Sequence, residues 1–182
     1  MIKKNKILKN VFEIEPIIHK DLRGYLYEKF NFKKYKELGL DGPWVQDNLS
    51  KSSKGDVRGL HFQNPNPQGK LVSVIYGCVF DVVVDVRENS PTFANWYGLE
   101  LNDIKCNQLW IPPGFAHGFQ VLSEFSLVNY KCTLNYWSPA DENTILYNDP
   151  DLDIKWPIEI GKISKKDEKG KLLKNIKNLP TD

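Results

Sequence analysis

Val72-Ser73-Val74-Ile75-Tyr76-Gly77-Cys78-Val79-Phe80-Asp81-Val82-Val83-Val84-Asp85-Val86-Arg87 is the stretch that decides the fold class. β-Branched and aromatic residues crowd both halves of it, and such side chains suit a pleated surface better than a helix. Gly77 punctuates the middle, so Lys70 to Tyr76 and Val79 to Arg87 are predicted as the two strands of a hairpin. The second strand does not alternate. An almost unbroken apolar run from Val79 to Val86 describes a strand covered on both faces, or the inner wall of a barrel.

Outward from this block the pattern repeats. Upstream, Val11 to Ile18 reads as a short strand, His19 to Gly24 as a turn, and Tyr25 to Phe30 as an aromatic-rich strand. Phe32 to Leu38 is a short helix closed by Gly39. Trp44 to Ser53 is polar and extended, Val57 to Phe62 is a strand, and Asn64 to Gly69 is a loop. Downstream, Phe93 to Leu101, Gln108 to Ile111, Gly118 to Leu122 and Ser126 to Thr133 continue the strands. From Trp137 the chain turns irregular, with a turn at Asn148-Asp149-Pro150-Asp151 and a short terminal helix expected after Ser164. Eleven prolines and twelve glycines fit many turns and few long helices. Short, closely spaced strands imply an antiparallel sandwich or barrel, with Phe80, Trp96, Trp110 and Phe119 in its core.

Composition narrows the function classes. A chain of 182 residues, 41% hydrophobic, is expected to form one domain with a real core. A net charge of +2 gives no case for nucleic acid, and the basic runs Lys3 to Lys9 and Lys162 to Lys174 read as solvated faces. Cys78, Cys106 and Cys132 lack metal-type spacing and read as reduced, buried thiols. With no signal-peptide pattern and no apolar span, a cytoplasmic location away from membranes is the expectation.

Two of the three histidines sit in glycine-flanked turns, in Arg58-Gly59-Leu60-His61-Phe62-Gln63 and in Pro112-Pro113-Gly114-Phe115-Ala116-His117-Gly118-Phe119. Histidine titrates nearest neutrality and is the natural proton carrier, although a strand histidine is more often structural than catalytic. Arg58 and Lys70 lie close to His61 in sequence. Arg58 and His61 would fall on opposite faces of a regular strand, so Gly59 is expected to mark a bulge that re-aims them. Such a cationic cluster is expensive in a core unless it meets an anion, and a guanidinium suits phosphate. A metal is not expected, because Gln63 stands where a His-x-His pair would need its second ligand. Arg23 and Glu28 around the turn Asp21-Leu22-Arg23-Gly24 are candidates for a second part of the ligand. Tyr130, if it faces a histidine, is a plausible acid opposite a base.

Taken together, seven segments resemble the dTDP-4-dehydrorhamnose 3,5-epimerase family. They are Asp21-Leu22-Arg23-Gly24, Gln46-Asp47-Asn48-Leu49-Ser50, Arg58 to Gln63, Asp81 to Arg87, Pro113 to Phe119, Tyr130-Lys131-Cys132-Thr133, and Asn148-Asp149-Pro150 running to Trp156-Pro157. They follow the family's order from about Ile14 to Leu173. The resemblance implies an all-β, cupin-like double-stranded β-helix: an antiparallel jelly-roll sandwich barrel with short peripheral helices, one domain over residues 1–182, acting as a homodimer without cofactor or metal. It implies conversion of dTDP-4-keto-6-deoxy-D-glucose to dTDP-4-keto-L-rhamnose, by inversion at C3 and C5 beside a ketone that acidifies both carbons. By the same resemblance His61 is the base, Asp167 its carboxylate partner, Tyr130 the acid and Lys70 the cation near the ketone oxygen. Arg23, Glu28, Gln46, Asn48, Arg58, His117, Glu142 and Lys166 match ligand-contacting positions, and either Tyr136 or Trp137 is expected to stack on the thymine.

The sequence departs from the family pattern in places. His19 replaces an aromatic before the first turn, the segment between Tyr130 and the pair Tyr136-Trp137 is one residue longer, Trp137 replaces a tyrosine, and Asp56 replaces an apolar residue. Epimerisation of one carbon only, or of a sugar on another nucleotide, is the alternative within this class. A metal-dependent cupin enzyme and a non-catalytic sugar-binding cupin are the alternatives outside it.

Overall fold

A computed structural model describes residues 2–40, 42–135 and 141–181. Two antiparallel sheets face each other. The first comprises β1 (Ile2–Lys4), β2 (Phe12–Ile14), β5 (Gln46–Ser53), β7 (Lys70–Tyr76), β10 (Gln108–Ile111) and β12 (Phe125–Cys132), in the order β1-β2-β10-β7-β12-β5. The second comprises β6 (Val57–Gln63), β8 (Cys78–Asp85), β9 (Trp96–Asn102), β11 (Phe115–Val121) and β13 (Glu142–Thr144), in the order β13-β6-β11-β8-β9. A separate hairpin pairs β3 (Ile18–Asp21) with β4 (Gly24–Tyr27). The helix α1 (Phe32–Glu37) is capped by the Asn31 side chain, which accepts from the Lys34 amide at 3.2 Å. No helix among the described residues is long and apolar enough to cross a membrane.

The apolar run from Val79 to Val86 proves to be a strand covered on both sides. Val79 and Val83 point between the sheets, where Val72, Val74, Leu109, Ile111, Phe115, Phe119, Val121 and Val128 bury against them. Val82, Val84 and Val86 point the other way, under the chain's C-terminal segment, against Leu60, Phe62, Ile145, Leu152, Leu173 and Ile176. A third cluster, Ile14, Tyr35, Leu40, Leu71 and Trp110, lies where α1 covers the outer face of the first sheet. Both faces of β8 are buried, so no polar residue breaks the run except where a partner waits for it.

Four expectations need correction. Neither site histidine sits in a turn: His61 lies within β6 and His117 within β11. β7 and β8 are not a hairpin: β7 pairs with β10 and β12, β8 with β11 and β9. The chain changes sheets at Gly77, whose φ of +85° and close approach to Phe125 and Ser123 exclude a side chain. Asp103 and Ser123 accept from the Gly77 and Cys78 amides at 2.9 Å each, so the crossing is held by side chains rather than a strand ladder. The segment Val11 to Ile18 is not one strand: β2 ends at Ile14, ahead of Pro16, and β3 starts the outlying hairpin at Ile18. After Ser164 there is no α-helix, only single 3-10 turns at Asp167–Lys169 and Leu173–Asn175.

Candidate active site

At one end of the sandwich the inward-facing side chains change from apolar to polar, and the space between the sheets opens as a cleft of about 600 Å³. That is the size range of small-ligand sites. The first sheet supplies Gln46, Asn48, Ser50 and Ser52, alternate residues of β5 on one face, with Lys70 from β7 and Tyr130 from β12. The second sheet supplies Arg58, His61 and Gln63 from β6, His117 and Phe119 from β11, and Glu142 from β13. The C-terminal segment closes one side with Lys162, Ser164, Lys166 and Asp167.

β6 does carry a bulge. Arg58 to His61 spans three residues, while their partners Phe119 and His117 are two apart. The extra residue places both side chains in the cleft. Gly59, at φ +110°, and Gly118 touch here: a Cβ on Gly59 would lie 2.6 Å from the His117 carbonyl oxygen, and one on Gly118 would lie 2.6 Å from that of Arg58. The two glycines therefore permit the irregular pairing that aims the histidines.

Each histidine has its own carboxylate. His61 Nε2 lies 2.6 Å from Asp167 Oδ1. Asp167 is itself 2% exposed. Burial opposes its charge, but the His61 bond and field and the Gly59 amide at 3.3 Å outweigh burial and hold the carboxyl below its ordinary value. An ionised Asp167 accepts, so Nε2 carries the hydrogen and Nδ1 keeps the lone pair. Glu142 Oε1 lies 3.7 Å from that Nδ1, and Glu142 Oε2 pairs with Lys166 at 2.7 Å. His117 Nε2 donates to Asp81, at 3.0 and 2.9 Å to its two oxygens.

On the opposite wall, burial pushes the Tyr130 hydroxyl up from its ordinary value and the Lys70 ammonium down. Cys132, beside Lys70 in the ladder, is driven to about 11 mainly by burial and stays a thiol. Arg58 is held by Ser52 Oγ at 2.7 Å and by the Lys51 carbonyl at 3.2 Å. The cleft therefore joins a cationic side chain at Arg58 to the carboxylate-held His61 on the same strand. Among the described residues no three His, Cys, Asp or Glu side chains converge as a metal site would require.

The chain matches the family model for dTDP-4-dehydrorhamnose 3,5-epimerase over residues 5–175. The chain belongs to the dTDP-4-dehydrorhamnose 3,5-epimerase family. It is 49% identical over 164 residues to the dTDP-4-dehydrorhamnose 3,5-epimerase of Methanothermobacter thermautotrophicus, covering 88% of each chain. It is 48% identical to that of Salmonella typhimurium, covering 90% of this chain and 91% of the other. Its fold is similar to the crystal structure of dTDP-6-deoxy-D-glucose-3,5-epimerase from Legionella pneumophila in complex with dTDP-4-keto-L-rhamnose. That likeness has a TM-score of 0.95 and 48% identity and covers 100% of this chain and 98% of that one. The nearly all-β, antiparallel architecture and this structural likeness together give the cupin-like class.

Of the residues that the family resemblance marks, Gln46, Asn48, Arg58, His61, Lys70, His117, Tyr130, Glu142, Lys166 and Asp167 line this one cleft. Arg23 and Glu28 do not. Within a single chain Arg23 pairs with Asp21 at 2.6 Å on the outlying hairpin, and Glu28 pairs with Lys34 at 2.7 Å. Tyr136 and Trp137 lie outside the described residues. Ser52, Gln68 and Lys162 also line the cleft, and Asp81 reaches it through His117. Asp81 had a signal: a carboxylate in a doubly covered strand must have a partner. Asp149, a turn residue by sequence, also accepts from the Leu173 amide at 2.7 Å and pins the segment that brings Asp167 to His61. Asp56 accepts from the amides of Ser53 and Lys162 at 2.9 and 3.1 Å, fixing the turn into β6.

Proposed function

We propose that this chain inverts C3 and C5 of dTDP-4-keto-6-deoxy-D-glucose, giving dTDP-4-keto-L-rhamnose. The observation that carries the reading is the placement of a carboxylate-held histidine and a protonated tyrosine on opposite sheets, with the cleft between them. Inversion removes a proton from one face of a carbon and returns one to the other, so two groups on opposite sides are needed. His61 takes the C–H proton on Nδ1, and the resulting cation lies between Asp167 and Glu142. Lys70 meets the negative charge that develops on the ketone oxygen, where a preformed cation is most effective. Tyr130, kept protonated by burial, delivers a proton from the other side. Carbon changes configuration without changing oxidation state, so no electron carrier takes part.

Arg58 and the polar β5 residues support a diphosphate and nucleoside at the same cleft. Arg23 and Glu28 reach a ligand if a second copy presents its hairpin to this cleft. The hairpin's exposed Leu22 and Leu26, at 107% and 73%, and Ile17 just before it, at 74%, support such a homodimer. Incubation with dTDP-4-keto-6-deoxy-D-glucose, with NMR assignment of the product, tests the reading. The L-rhamno product supports it, and unchanged sugar under conditions of full folding refutes it.

A further inference from the structure

Gln63 has no part in the scheme above, yet it stands two residues beyond His61 on the same face of β6 and lines the cleft. It is 7% exposed, and its Oε1 is fully buried without a hydrogen-bond partner. Of the described side chains, only Trp44 Nε1 shares that condition. Its ladder neighbour is Glu142, the residue beside His61 Nδ1. A buried amide left unpaired costs free energy that a packed methylene side chain would not. Placed in a cleft wall, such a group is matched by a ligand.

The ligand's chemistry follows from position. Along β6 the order is Arg58, His61, Gln63, which means anion contact, proton transfer, then Gln63. A nucleotide sugar carries its diphosphate on C1, so with phosphate toward Arg58 and C3 and C5 at His61, the ring edge beyond C1 faces Gln63. A half-turn about the last side-chain bond exchanges the amide's donor and acceptor ends. A hydroxyl, which donates and accepts, satisfies either end. We infer that Gln63 is a specificity-determining residue that binds the hydroxyl on C3, next to the ketone, and so selects 4-keto sugars that carry it. This rests on the epimerase reading above. It makes Gln63 a reader of the sugar, not of the nucleotide.

The test compares wild type with Gln63→Met, which keeps the side chain's length and apolar volume but removes the amide. Three readouts are taken on each: dTDP affinity, thermal unfolding, and solvent-deuterium exchange at C5 of dTDP-4-keto-6-deoxyglucose and of its 3-deoxy analogue. C5 exchange is available in both sugars, so the readout does not depend on the hydroxyl itself. Wild type should favour the hydroxylated sugar by about tenfold or more in kcat/KM, as one lost hydrogen bond to a buried polar group implies. Gln63→Met should lose most of that preference by lowering kcat/KM for the hydroxylated sugar alone, with dTDP affinity unchanged and the ligand-free protein unfolding at a temperature no lower than wild type. Gln63→Asn and Gln63→Leu, run alongside, keep the question answerable if Met misfolds. Equal preference in wild type and in the folded variants overturns the inference. Absence of exchange in wild type on dTDP-4-keto-6-deoxyglucose itself would instead strike the epimerase reading, so the two failures are distinct.

Discussion

His61 and His117 are register partners on adjacent strands, and each ring is anchored through Nε2 by a different buried carboxylate, Asp167 for the first and Asp81 for the second. Asp81 is part of the neighbouring strand, while Asp167 comes from the C-terminal segment, 106 residues along the chain from His61. Both rings therefore have a fixed orientation, with Nε2 committed to a carboxylate.

Lys70 is held in the cleft wall at a cost in stability. Burial lowers its pKa from the ordinary 10.5, so the unfolded chain binds this proton more tightly than the fold does. The resulting cost is full below the folded value and fades as pH rises through it toward 10.5. Lys70→Met should be more stable than wild type at pH 7 by roughly 1 to 4 kcal/mol. The gap should narrow in alkaline buffer, and kcat should fall by on the order of 10²-fold or more. Denaturant unfolding across pH, beside steady-state kinetics, checks both halves.

Asp85 behaves in the opposite sense. Burial works against its charge, but bonds from Arg87 at 2.9 and 2.6 Å, Ser90 at 2.5 Å and Thr92 at 2.6 Å hold it ionised below the ordinary 3.8. Its contribution is present above pH 3.8 and is lost as pH falls through the lower folded value. Asp85→Asn should cost about 3 to 5 kcal/mol at neutral pH. That difference should shrink in acid, as urea unfolding at stepped pH would record.

Gly59 permits the bulge. Alanine there would meet the His117 carbonyl oxygen at 2.6 Å on a backbone at φ +110°. Strain and overpacking together should cost about 2 to 4 kcal/mol. The histidine pair should lose its aim, so kcat should drop even at temperatures where the variant stays folded. Circular dichroism melting with parallel assays measures both. Normal kcat in Gly59→Ala would mean that the bulge does not position the site.

How much of this was legible in the sequence depends on whether a signal was local. Val79 to Val86 announced a doubly covered strand because eight consecutive positions lacked polar alternation, and the structure covers both faces as expected. Gly77 announced a reversal, but nothing local says whether a strand returns beside its predecessor or crosses to a second sheet. The crossing is fixed by Asp103, Ser123 and Ser126, far away in sequence. Gly59 carried its message locally as a glycine between two site residues. The link between His61 and Asp167 was visible only through family resemblance, since a separation of 106 residues leaves no periodic trace. Arg23 and Glu28 were marked by the same resemblance, and the single chain holds them outside the cleft on partners of their own.

The most direct measurement of the central claim is proton exchange in deuterated water, followed by NMR on dTDP-4-keto-6-deoxyglucose with wild type, His61→Asn and Tyr130→Phe. The wild type should place deuterium at C3 and C5 and invert both carbons. His61→Asn should stop exchange and inversion together, a loss of about two to four orders of magnitude. Tyr130→Phe should keep exchange driven by His61 while losing inverted product far more strongly. Exchange at the wild-type rate in a normally folded His61→Asn protein would contradict the assignment of base and acid to opposite walls of the cleft.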